Sequence, residues 1–282
     1  MLRLFSQLLQ DFKMKLSLSS RKLVHPRVNL GLNLERVETF FRRKDKVVFV
    51  MGATGTGKSR LAINLATRFP AEIVNSDKMQ VYKGLNILTN KVTEEECRDI
   101  PHHLLGIVDP NSNFTSMDFQ RHASLAIGSI VANDRLPIVT EAPILLHSFV
   151  SERVDRMVQA GLLDEVSQMF DPVADYSRGI RRAIGVPELD QYFRGGSSID
   201  AKIRARMLDT AISKIKENTC NLASRQLQKI LRLYNQWNWR MHRIDATEVF
   251  LKSHNEGDET WERLVVGPST MIVEQFLYEK KS

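Results

Sequence analysis

The sequence predicts an α/β protein, a parallel-sheet core followed by a largely helical C-terminal half. Three observations carry that expectation. A short apolar and β-branched run, Lys46-Val-Val-Phe-Val-Met51, leads directly into the glycine-rich Gly52-Ala-Thr-Gly-Thr-Gly-Lys-Ser59 and then into a segment with helical spacing. Further short apolar runs recur as far as Thr140, the continuous pattern expected of strands buried on both faces. Beyond Phe149 the strand signals largely stop and amphipathic helical patterns take over.

In chain order, residues 46–51 read as the first strand, and Arg60 to Phe69 as a helix with Leu61, Leu65 and Ala66 on its apolar face. Glu72-Ile-Val-Asn75 is a second strand ending in Ser76-Asp77, and Leu104 to Val108 a third. A helix fits Ser116 to Ala132, burying Phe119, Ala123, Ala126, Ile127 and Ile130, before a strand at Leu136-Pro-Ile-Val-Thr140. Four amphipathic helices follow, at Phe149 to Phe170, Gly179 to Phe193, Ile199 to Cys220 and Leu222 to Trp239, punctuated by Asp171-Pro172 and Gly195-Gly196. The expected organisation is a leader over 1–40, an α/β core over 41–148 and a helical half over 149–282. The leader expectation rests on composition: the first 34 residues carry six Lys/Arg, four Ser and one acid, Asp11, without a long apolar run. That is the pattern of an organelle transit peptide rather than a secretory signal.

Composition narrows the function classes. The 282 residues are 43% hydrophobic and 26% charged, enough to bury a core and inconsistent with disorder throughout. Two cysteines, Cys97 and Cys220, cannot form a disulfide framework or a four-cysteine zinc site. No apolar run approaches the roughly 20 residues that span a bilayer. Forty Lys/Arg against 33 Asp/Glu give a formal charge of +7, which favours acidic partners such as nucleotides, diphosphates or nucleic acid. Ser197 to Arg243 holds ten of those cations and three acids, an excess equal to that of the whole chain.

Gly52 to Ser59 satisfies G-x-x-x-x-G-K-[ST] between a strand and a helix, the context that makes the pattern a phosphate site and the fold P-loop NTPase-like. Backbone N–H groups of Gly52, Ala53, Thr54, Gly55, Thr56 and Gly57 would form a nest for phosphate oxygens. Lys58 would neutralise those oxygens, and the Ser59 hydroxyl would sit on a bridging Mg²⁺. Asp77, at the end of a strand beside the loop, could hold the metal as in an NTPase, act as a general base, or cap the following turn. The adjacent His102 and His103 read as packing or hydrogen-bonding groups, with no acid or Cys spaced to make a metal site. Tyr234, Trp237 and Trp239 read as packing residues.

Past the loop, Asn75-Ser-Asp-Lys-Met-Gln-Val-Tyr-Lys-Gly84, Thr89-Asn-Lys91 and Pro101-His-His-Leu-Leu-Gly106 resemble the isopentenyltransferases, most nearly the plant adenylate isopentenyltransferases of cytokinin biosynthesis. Ser151-Glu-Arg-Val-Asp-Arg-Met157, Gly179-Ile-Arg-Arg-Ala-Ile-Gly-Val-Pro-Glu188, Asn218-Thr-Cys220, Arg225-Gln226, His242 to Val249 and Val265-Val-Gly-Pro-Ser269 extend the resemblance from about Lys46 to Leu277. It implies transfer of the dimethylallyl group of dimethylallyl diphosphate to N6 of adenine in AMP, ADP or ATP; the composition of the leader points to a plastid or, second, a mitochondrion. It also implies that the P-loop holds the prenyl diphosphate, with Mg²⁺ as cofactor. Asp77 is then the general base and Thr54 a donor to the bridging oxygen. Gln80 contacts substrate, and Arg181, Arg182 and Arg225 hold phosphates. The alternatives are the same transfer onto tRNA, a P-loop small-molecule kinase, and a non-catalytic remnant. One departure stands out: where the resembled family continues after Leu-Pro-Ile-Val-Thr140 with a glycine loop, a helix and another strand, this chain runs directly through Glu141-Ala142 into Pro143-Ile-Leu-Leu-His-Ser-Phe149.

Overall fold

A computed structural model describes residues 46–52, 56–141, 147–196, 199–236, 241–252 and 254–278. The leader expected over 1–40, with Ala53, Thr54, Gly55, Trp237 and Trp239, lies outside the described residues. Among them a four-stranded, fully parallel sheet runs in the order β1-β4-β2-β3, with β1 Val48–Met51, β2 Ala71–Asn75, β3 His102–His103 and β4 Leu136–Glu141. β4 lies between the first two strands, pairing Val50 with Thr140 on one side and Asn75 with Thr140 on the other. The carboxyl ends of β1, β2 and β4 therefore converge around Thr140, where a ligand crevice is expected in an open α/β sheet.

Each strand alternates between two apolar layers. Ile73 and Ile138 enter a cluster with Val50, Ala62, Leu65 and Phe69, whereas their neighbours Val74 and Val139 enter a second cluster with Ile127, Ile130, Leu162 and Ile215. Burial on both faces explains the uninterrupted apolar runs of β2 and β4. Helix α1, Lys58–Ala66, covers the first face. Helix α2, Glu94–Cys97, is one turn fixed by a capping box between Thr93 and Glu96. Helix α3, Ser116–Ala132, follows a capping box between Thr115 and Asp118 and covers the second face with Phe119, Ala123, Ile127, Ile130 and Val131.

The helical half differs from its sequence pattern in three places. The expected 149–170 helix is two, α4 His147–Gln159 and α5 Leu162–Met169, because Gly161 turns left-handed at φ 98° and starts the second. Gly179 to Phe193 is a 3₁₀ turn, Gly179–Arg182, followed by α6 Val186–Arg194. In contrast, the two helices expected over 199–239 are one continuous α7, Ala201–Gln236, since Cys220-Asn221-Leu222 contains neither Gly nor Pro to break it. The third strand also moves: Leu104 is left-handed at φ 61°, so the ladder ends at His103, and Val108 makes only an isolated bridge to Tyr82. His103 has an acid after all, Glu72 on the neighbouring strand, whose carboxylate lies 2.6 Å from Nε2 and 3.2 Å from Arg135 Nε. Sequence spacing does not show such a cross-strand pair. Among the described residues no cluster of three His, Cys, Asp or Glu could hold a metal, and no helix is long and apolar enough to cross a membrane.

After α7 come α8 Thr247–Phe250, α9 His254–Trp261, a π-helical turn Glu262–Val266 and α10 Gly267–Tyr278. Helix α10 returns to the sheet, burying Val273 and Leu277 in the same layer as α1. Its last carbonyls, of Phe276 and Leu277, accept hydrogen bonds of 2.5 and 2.9 Å from the Lys46 ammonium at the start of β1.

Candidate active site

A cavity of about 430 Å³ opens where the strands end. Its first wall is the phosphate loop. Gly52 leaves β1 at a position where a Cβ would come within 3.0 Å of Thr56 Oγ1. Gly57 then caps α1 in the left-handed region at φ 80°, and a Cβ there would lie 2.5 Å from Cη2 of Trp261. Only glycine meets both demands at that position. Lys58 and Ser59 open α1 and line the cavity, so the helix N-terminus adds its positive end to the lysine charge. Burial pushes the Lys58 ammonium down to about 7; the Asp77 carboxylate pulls it back up and the Arg153 guanidinium pushes it further down.

The opposite wall is built from the end of β2. Asn75 is tied by its side-chain amide to the Leu104 carbonyl at 3.0 Å and to the backbone of Asp77, and the Ser76 hydroxyl donates to the Thr140 carbonyl. Asp77 is thereby presented to the cavity, and its Oδ1 accepts from the backbone N–H of Met79 at 2.8 Å and of Gln80 at 3.4 Å. Capping the turn and facing the ligand are thus compatible, and the first orients the carboxylate for the second. Gln80 lines the same wall, with Nε2 donating to the carbonyls of Thr89 and Asn90 at 3.0 Å each. The loop behind it is held by Glu165 of α5, which accepts from the N–H groups of Ile87 and Leu88 at 2.9 and 2.8 Å. Lys91, packed into that loop, is lowered to about 8 by burial, with Glu165 and Asp77 opposing the shift.

Sequence reasoning overlooked Arg153. It projects from α4 into the cavity, where burial lowers its pKa and the Asp77 carboxylate supports its charge. Within Ser151–Met157 it is one of two arginines on a polar helix surface, and only the fold distinguishes it from Arg156. Asn90, Glu96 and Arg98 on the outer rim were likewise not singled out. Three expected arginines lie elsewhere. Arg181 donates to the Asn111 side-chain carbonyl, Arg182 sits on the 3₁₀ turn near Lys78, and Arg225 is exposed on α7 with Nε 3.3 Å from the Asn221 carbonyl.

A phosphate-binding loop on one wall and an oriented carboxylate on the other, between them a basic cluster, define a P-loop enzyme site suited to moving a group off a diphosphate. The comparisons with known proteins agree. The family model described as isopentenyl transferase matches residues 45–105, and the one described as IPP transferase matches 80–141 and 141–231. Adenylate isopentenyltransferase 5, chloroplastic, from Arabidopsis thaliana is 57% identical over 91% of this chain and 88% of its own length. Adenylate isopentenyltransferase 7, mitochondrial, from the same plant is 51% identical over 93% and 90%. In three dimensions the chain is similar to a eukaryotic dimethylallyltransferase acting on tRNA, at a TM-score of 0.70 and 20% identity over 83% of this chain and 80% of that one. The chain belongs to the isopentenyl transferase family.

Proposed function

We propose that the protein transfers the dimethylallyl group of dimethylallyl diphosphate to the exocyclic N6 of adenine in a free nucleotide, AMP, ADP or ATP, the first step of cytokinin biosynthesis. The observation that carries this reading is the shared cavity of Lys58, Ser59 and Asp77, in a chain 57% identical to an adenylate isopentenyltransferase. The allylic C–O bond breaks and a C–N6 bond forms. The diphosphate departs into the phosphate loop, and the N6 proton passes to the Asp77 carboxylate. Lys58 and Arg153 neutralise charge on the leaving group as it grows, in a wall where burial strengthens their fields. Thr54 donates to the bridging oxygen, and Gln80, braced by the 89–90 carbonyls, positions the adenine. Arg181, Arg182 and Arg225, expected to hold phosphates, lie outside the cavity lining, so the phosphates of donor and acceptor are not assigned to them.

The donor set fits magnesium. Ser59 offers a hydroxyl at the cavity, and a hard ion that takes most of its oxygens from diphosphate and water requires no protein cage. When bound, the ion supplies further neutralisation of the leaving diphosphate. Incubation with radiolabelled dimethylallyl diphosphate and AMP, ADP, ATP or tRNA in turn tests the proposal. Label should appear on the free nucleotides; label on tRNA alone would replace the acceptor assignment, and phosphate transfer without alkylation would favour a kinase.

The chain further reads as a leader over 1–40, a core over 41–148 that lacks one helix-plus-strand unit after Thr140, and a helical half over 149–282 that completes the transferase. Two observations support the missing unit. Among the described residues β1 has a neighbour on one side only, and the IPP transferase match falls into two segments meeting at residue 141. Turnover is accordingly lower than in a chain with the unit. The leader directs the protein to a plastid, or second a mitochondrion, matching the names of the two relatives. A fluorescent fusion of residues 1–40 that remained in the cytosol would overturn that assignment.

A further inference from the structure

We propose that Arg98 is a specificity-determining residue that recognises the 5′-phosphates of the acceptor nucleotide. The inference rests on the transfer reading above, which assigns the loop at Lys58 to the donor diphosphate and Asp77 to N6. With those ends occupied, the ribose and its phosphates face the remaining polar wall, where Asn90, Glu96 and Arg98 line the same cavity.

Arg98 stands apart from the other cations there. Lys58 and Arg153 share the Asp77 carboxylate as an electrostatic partner. Arg60 bonds Asp258 at 2.7 Å and stacks 4.8 Å from the Trp261 ring. Arg98 is exposed and has no hydrogen bond or ion pair from its guanidinium among the described residues. Glu96, the acid beside it on the wall, is turned to the Thr93 backbone N–H at 2.9 Å, which completes the capping box and leaves it poorly placed to neutralise Arg98.

The backbone points the same way. Arg98 and Asp99 are successive non-glycine residues in the left-handed region, at φ 48° and 59°. The same conformation turns the chain at Leu104 and Asp134, so its weight here lies in where it places the side chain. Here it ends α2 abruptly and brings the guanidinium to the cavity mouth, where a planar fork suits phosphate oxygens. Lying at an exposed rim, the contact should be sensitive to salt, unlike those of the part-buried Lys58.

The test is equilibrium binding to the full chain of adenosine, AMP, ADP, ATP and dimethylallyl diphosphate, for the unaltered protein, Arg98→Asn and Arg98→Lys. Asparagine tolerates the left-handed conformation, so Arg98→Asn removes the charge without adding backbone strain, and a melting curve verifies its fold. Nucleotide affinity should fall roughly tenfold in Arg98→Asn, the scale of one charge-assisted hydrogen bond, and recover partly in Arg98→Lys. Adenosine and dimethylallyl diphosphate should be unaffected, and the difference should shrink at high salt. If neither donor nor any adenine compound bound, the transfer reading would fall and Arg98 with it. If the donor bound but Arg98→Asn kept nucleotide affinity within twofold, or lost adenosine affinity equally, the Arg98 assignment alone would be wrong.

Discussion

Asp77 does two things with one carboxylate, and the two can be separated. Its Oδ1 caps the 78–81 turn through Met79 and Gln80, while the group faces the cavity that holds Lys58. Asp77→Asn keeps a capping oxygen and removes the carboxylate proposed as the base. It should melt like the unaltered chain yet lose about 10² to 10⁴ in transfer rate, whereas Asp77→Ala should also lose about 1 kcal/mol of stability. Equal rates for Asp77→Asn and the unaltered protein would remove Asp77 from the chemistry. Lys58 makes an independent prediction through pH. Its ammonium is lowered from 10.5 to about 7 in the folded protein, so between those values the unfolded chain binds more protons than the native one. From this group, stability of the ligand-free protein therefore rises as pH increases from 7 toward 10.5. The diphosphate contact proposed for Lys58 uses the ammonium form, so donor affinity should fall as pH rises through 7, and binding above it should take up a proton. Calorimetry in buffers of different ionisation enthalpy measures that uptake; its absence would show that Lys58 is already charged. The places of Lys58 and Ser59 at the cavity were legible because loop chemistry fixes their spacing, and that of Asp77 because it ends a strand beside the loop. Arg153 and Arg98 were not, since what sets them apart is distance across the fold.

At the scale of elements, the phosphate loop is braced from the far end of the sequence. Trp261 of α9 is 3% exposed, lies against Gly57, and donates through Nε1 to the Asn64 side chain at 3.1 Å. Trp261→Leu should cost about 2–3 kcal/mol as a cavity opens, and should weaken donor binding because the left-handed turn at Gly57 loses its backing. Chemical denaturation and donor titration measure the two effects. A stability loss with donor affinity intact would mean that the loop holds its shape unaided. This brace could not be read from the sequence, where nothing connects Gly57 to a tryptophan two hundred residues later. Elements whose capping chemistry is local fared better: the 116–132 helix is bounded as expected, with its box at Thr115 and Asp118. The two helices expected over 199–239 are one because the residue between them, Asn221, is polar, and side-chain polarity alone does not break a helix.

For the whole molecule, the feature that matters most is the place of β1. The strand that carries the phosphate loop is paired through Val48–Met51 to β4 and, among the described residues, to nothing on its other edge. Inserting a family glycine loop, helix and strand between Thr140 and Ala142 should raise both melting temperature and turnover. At about 25 cal/mol per Å², reburying even a few hundred Å² is a large share of an ordinary stability margin of about 5–15 kcal/mol. Identical melting and identical rates with and without the insert would show that the direct junction is not a defect. The clasp of Lys46 on the last turn of α10 gives this edge a mechanical meaning. Tension on the chain ahead of residue 46 would first have to detach Lys46 from those carbonyls and would then load a four-residue strand that, among the described residues, is held along one side. A diphosphate bound at the other end of that strand would favour the folded state, so the ligand this protein is proposed to use would also hold its weakest edge against such a pull.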